Sequence, residues 1–206
     1  MSDSFSIRMS SDDGLAPPAE IFATRPDEKG PKTVAILLVF GAILIIIIGY
    51  GDIQNSISED MSQEELDTLL TNVRNQGDNI TDQEYQQFHD DVRDSGAYSI
   101  RGWSLLIGGI CIGTGGTLLF ILKPVGPKLA LVGAGIGFIG GTYSSWEMKT
   151  ISESALPEAM VFVNEIFTYI CGVCMVLCLA LAGLPMLNAS ARAALNQKVV
   201  FSPEEE

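Results

Sequence analysis

The sequence predicts an all-α integral membrane protein with four transmembrane helices and an extramembrane α-helical hairpin between spans 1 and 2. Three observations carry that expectation. Four long apolar runs have no charge at their centres. A strongly acidic block separates the first run from the second. Tyrosine and tryptophan gather at one end of all four runs. The chain has 206 residues, 47% hydrophobic and 18% charged, with a net charge of -13. Those averages conceal the segregation, because residues 51–101 hold 12 acidic side chains against 3 basic ones. Phosphate binding needs a basic face, so nucleic acid is not an expected partner.

Residues 1–32 are polar, lack periodicity and read as a disordered cytoplasmic N-terminus. The first span covers 33–50, TVAILLVFGAILIIIIGY, with no charged residue. A bilayer core of ~30 Å needs roughly 20 such residues. No small-residue cleavage pattern follows the run, so it is expected to remain as a signal anchor. The second span covers 102–122 and the third 129–146, joined by a turn at 123–128. The fourth covers 166–187, after a loop at 147–165. Residues 188–206 form a tail. Four uncharged runs of this length leave no polar face for water, which argues against a soluble core.

Orientation follows from basic residues near the span ends. Arg25, Lys29, Lys32, Lys123, Lys128, Arg192 and Lys198 flank one side. The other side has only Arg74, Arg93, Arg101 and Lys149. Both termini are therefore expected in the cytoplasm, with the cell membrane as the location. Tyr50, Tyr98, Trp103, Tyr143, Trp146 and Tyr169 all fall near the opposite, outer side. Such rings prefer the interface, where body and polar tip are both satisfied.

Within the acidic block, residues of about 63–76 and 82–95 predict two helices. Ser62 with Glu65, and Thr81 with Glu84, have capping-box spacing. Gly77 and Gly96 stand where each helix would stop. Leu66, Leu69, Leu70 and Val73 form one apolar stripe, and Tyr85, Phe88 and Val92 another. The stripes are expected to face each other as the core of the hairpin, or to meet a partner. His89 lies beside the second stripe and reads as a packed or capping histidine. The intervening turn fails as an EF-hand, with Val73 and Asp78 where a carboxylate and a glycine are needed. Asn79-Ile80-Thr81 is a sequon on the outer side, which makes Asn79 a possible glycosylation site. Asn188-Ala189-Ser190 is a second sequon, on the cytoplasmic side.

Inside the spans, Gly109 and Gly113 form one small-residue step with Thr117 one step on and Gly108 and Gly116 alongside, and Gly133, Gly137 and Gly141 a ladder. Lipid gives no hydrophobic drive between helices, so close approach over small residues must hold them together. Spans two and three are expected to pack through these glycines, with Gly137→Leu more disruptive than Leu131→Ala. Cys171, Cys174 and Cys178 share a face of span four and read as small apolar residues.

No G-x-S-x-G, H-E-x-x-H or Walker pattern occurs, so no catalytic residue, cofactor or metal is expected. The function expected is that of a non-enzymatic scaffold or accessory subunit. Its partners would be the lipid bilayer and, through the hairpin, a protein partner or a second copy in a homo-oligomer. The alternative is a small oligomeric transporter or channel with a glycine-rich helix interface and an acidic outer mouth.

Overall fold

A computed structural model describes residues 26–58, 60–75 and 80–196. These are all-helical, in seven helices: α1 Lys29–Ile57, α2 Gln63–Asn75, α3 Asp82–Asp94, α4 Ala97–Phe120, α5 Val125–Ala155, α6 Glu158–Leu187 and α7 Ala189–Leu195. Helices α1, α4, α5 and α6 are long and apolar enough to cross a membrane. Their lengths of 29, 24, 31 and 30 residues correspond to roughly 36–46 Å at 1.5 Å per residue. The spans expected from hydropathy are shorter, because backbone hydrogen bonding continues past the point where the side chains turn polar. The expected loop at 147–165 is a correction of this kind: only Leu156 and Pro157 interrupt helix there. Leu156 is extended (φ -117°, ψ 153°), as expected for a residue preceding proline.

The breaks between helices have local causes. Gly96 adopts a left-handed conformation (φ 76°), which costs a glycine little. Only Ser95 and Gly96 separate α3 from α4. The end of α4 is a Schellman turn, with Lys123 N–H donating to Leu118 O and Leu122 N–H to Leu119 O, both at 2.9 Å. Leu122 takes the left-handed position itself (φ 59°), where glycine is usual.

Helix α4 is the centre of the bundle. It packs extensively against α1 and α5, α5 packs against α6, and α1 meets α6 over a thin contact. Two glycine faces on α4 make this possible. A Cβ added at Gly102 or Gly109 would meet α1, at Gly49 O (3.0 Å) or Ile46 (2.7 Å). One added at Gly116 would lie 3.2 Å from Ala35 O, also on α1. A Cβ at Gly108 or Gly115 would instead strike α5, 2.7 Å from Gly133 O or Gly126 O. Residues 108–109 and 115–116 are thus glycine pairs seven apart, each sending one member to each neighbour.

This corrects the expected interface. Gly109 and Gly113 face α1, since the nearest atom to a Cβ at Gly113 is Ala42 Cβ at 3.4 Å. Adjacent helix positions differ by about 100°, so the step of four picked the wrong face. Gly133 does meet α4. A Cβ at Gly137 would touch Met175 of α6 at 3.2 Å, and one at Gly141 would touch Leu105 at 3.6 Å.

Two separate apolar cores result. One runs through the bundle and includes Ala35, Leu38, Ala42, Leu105, Ile112, Leu119, Ala130, Ala134 and Met175. Its outer surface keeps large apolar side chains exposed, such as Phe40, Leu44, Ile47, Ile139 and Phe167. The second core sits at the end of the bundle that carries α2 and α3. It joins Leu66, Leu70, Ile80, Phe88 and Val92 to Ala97 and Tyr98 of α4, Met148 of α5 and Leu156.

Candidate functional site

The region combining polar chemistry with a defined surface is the α2–α3 end. Both capping spacings produce capping boxes. Thr81 N–H donates to Glu84 Oε2 at 2.9 Å and Glu84 N–H to Thr81 Oγ1 at 3.2 Å. Ser62 N–H donates to Glu65 Oε2 at 3.0 Å, and Glu65 N–H returns a bond to Ser62 Oγ at 3.3 Å. The backbone N–H groups of Ser62 and Thr81 hold the two glutamate carboxyls below their ordinary range, because they bond the charged form.

Helices α2 and α3 touch each other sparsely, and α3 packs more on α5 and α4 than on α2. The two stripes therefore do not simply pair. Leu66, Leu70, Phe88 and Val92 are buried, and Val73 and Tyr85 are half-buried against them. Leu69 is 44% exposed, contrary to its expected place in the core. It lies about 100° around the helix from Leu70, on a side no other element covers. Residues 76–79, Asn79 among them, lie outside the described residues, as do 1–25, 59 and 197–206.

Polar latches join what the apolar contacts leave loose. Arg74 pairs with Asp82 at 2.5 Å and donates to Ile80 O at 3.0 Å. Gln63 donates to the other Asp82 oxygen at 2.7 Å. The guanidinium and this amide together hold the Asp82 carboxyl low. Met61 N–H donates to Gln86 at 3.0 Å, and Arg93 donates to Ser58 O at 2.9 Å.

His89 is buried against the Tyr98 ring, with centroids 5.3 Å apart. Its Nδ1 has no hydrogen-bond partner and lies 4.0 Å from Asp90. Burial pushes its pKa down, against the opposing pull of Asp90. The unfolded segment takes up a proton near pH 6.5, while the buried ring resists. Docking of α3 should therefore be full above about pH 6.5 and weaken as pH falls toward the lower native value. Hydrogen exchange of α3 amides should show less protection at pH 5 than at pH 7.5. His89→Phe should flatten that difference; an unchanged difference in this variant would clear the histidine of the effect.

Two further groups of ion pairs join the ends of the long helices, and the sequence reading did not foresee these pairings. Asp52 of α1 and Arg101 of α4 form a two-pronged ion pair, Nε to Oδ2 at 2.7 Å and Nη2 to Oδ1 at 2.5 Å. The Asp52 side chain is only 5% exposed. Lys149 of α5 pairs with Glu165 of α6 at 2.9 Å and lies 3.7 Å from Glu153. Tyr169 donates to Glu165 at 3.2 Å. Each partner sits at the polar edge of its apolar run, at matching depth in antiparallel neighbours. That shared depth was the available signal.

Next to Arg101 and Lys149 is a cavity of about 420 Å³ between α1, α4, α5 and α6. Its charged lining residues are Arg101 and Lys149, and its floor is apolar. Among the described residues, no group of three His, Cys, Asp or Glu side chains is placed to hold a metal ion. No family model matches the chain, and no curated protein or solved structure matches it either.

Proposed function

We propose that this chain is a non-enzymatic, multi-pass integral membrane protein. It acts as a scaffold or accessory subunit that holds an acidic two-helix unit outside the bilayer for a protein partner. The observation that carries this reading is the second apolar core, which ties α2 and α3 to the ends of α4 and α5. An acidic segment anchored in this way presents a fixed surface. Glu64, Asp67, Glu84, Asp91 and Asp94 stay exposed on it, and Leu69 is also left uncovered. Such a face favours a basic partner and excludes acidic ones. The exposed apolar sheath of the four long helices fits a lipid surround, since water-facing apolar patches of that extent are rare. The distribution of Lys and Arg supports cytoplasmic termini.

The test uses intact cells. A cysteine at exposed Gln87 should react with an impermeant maleimide, above the background of the parent chain, and one at position 10 should not. A photo-crosslinking residue at Thr68 should give a discrete adduct with a different protein. The triple reversal Glu64→Lys, Asp67→Lys, Asp91→Lys should cut that adduct by about ten-fold, equivalent to ~1.4 kcal/mol. An adduct indifferent to the reversal, or one containing only a second copy of this chain, would overturn the docking role. Labelling at position 10 would overturn the orientation.

A further inference from the structure

We propose that the cavity between α1, α4, α5 and α6 seats an acyl chain of a zwitterionic phospholipid, with the lipid phosphate at the rim formed by Arg101 and Lys149. The inference rests on the membrane reading above. Its first support is a gradient of polarity along the walls. On α6 the lining runs from Asn164 and Thr168 to Cys171 and Met175, 11 residues or roughly 16 Å. On α4 it runs from Arg101 to Leu105, on α5 from Lys149 through Met148 to Ser145, and α1 contributes only Ile45 and Ile48. A small polar solute would find few partners below Ser145 and Thr168, among Ile45, Leu105, Cys174 and Met175, and burying it there would be costly. An amphiphile matches both ends. The volume, about 420 Å³, falls in the range of roughly 300–1,000 Å³ usual for small-molecule sites.

The headgroup follows from charge. Asp52 occupies Nε and Nη2 of Arg101, which leaves the Nη1 group without a protein partner among the described residues. Lys149 is shared with Glu165 and Glu153. The rim thus presents fixed cations beside fixed carboxylates, close to neutral overall. A bare anion gains little from it. A phosphate bearing an ammonium group gains at both ends, with the phosphate on Arg101 and Lys149 and the ammonium toward Glu165. The route in is lateral, because α1 and α6 share the thinnest helix contact around the cavity.

The experiment reconstitutes the full chain in phosphatidylcholine vesicles with a phosphatidylcholine carrying a diazirine at its acyl end. After irradiation, adducts should map to the 171–175 stretch of α6. Cys174→Trp, or Cys171→Phe if the first variant does not insert, should reduce them by about ten-fold. Val173→Trp, on the same helix but outside the cavity lining, should leave them unchanged. A diacylglycerol probe with the same chain should label the stretch about ten-fold less, since it lacks the phosphate. Labelling insensitive to the filling variants, or equal with diacylglycerol, would overturn the proposal. Carbonate extraction and protease protection on the same vesicles separate the two readings. A chain that extracts sinks the membrane reading; an integrated chain with no adduct at the cavity sinks only this one.

Discussion

Gly133→Leu is expected to break the α4–α5 pair and cost about 3 kcal/mol or more in detergent or bicelles, the upper end of what overpacking costs. A Cβ at this position would lie 2.6 Å from Gly108 O and 2.9 Å from Ile112 N. Those are backbone atoms of a helix, so no rotamer change can make room. The helices must move apart, and they lose packing that lipid does not replace. Gly135→Leu is the matched control on the same helix. Nothing lies within 4 Å of its added Cβ, and removing a helical glycine favours the helix by roughly 0.5–1 kcal/mol. Thermal unfolding should therefore separate the two variants clearly, with Gly135→Leu at or above the parent. Identical midpoints would mean that the glycine contact does not hold the bundle. Gly137→Leu, the expected disruptive change from sequence, should be milder. Its Cβ meets the flexible end of Met175 at 3.2 Å, which can swing aside.

The second large effect is expected at Asp52→Leu, at about 3–5 kcal/mol. The carboxylate is buried and bound at both oxygens by Arg101. Removing it leaves a largely covered guanidinium with no counter-charge. The double variant Asp52→Leu, Arg101→Met should recover most of the loss, because an apolar pair of similar volume carries no charge to desolvate. A double-mutant cycle reads the coupling directly. If the double variant is as unstable as Asp52→Leu alone, the loss comes from packing and not from the stranded charge.

The legible parts of this molecule are those whose causes are local. The capping boxes at Ser62–Glu65 and Thr81–Glu84 need only four consecutive residues each, and both form. The four long helices follow from uninterrupted apolar runs, since a buried backbone without water must satisfy itself internally. Periodicity placed Leu66, Leu70, Phe88 and Val92 inward correctly. It could not show that Leu69 would be left uncovered, because a stripe carries no information about how wide its partner is.

Composition and hydropathy by themselves determined the helical class, the number of long apolar helices and the ends of α2 and α3 that are set by capping. Tertiary structure alone decided which neighbour each glycine serves. A helix has a full circle of faces, and the pairs at 108–109 and 115–116 point to two of them at once. It also decided that α3 packs on α4 and α5 more than on α2, and that Asp52 meets Arg101 across 49 positions of sequence. Those outcomes depend on distances between elements far apart in the chain. Local sequence sets the shape and polarity of each helix, but only the packed bundle fixes which surfaces meet.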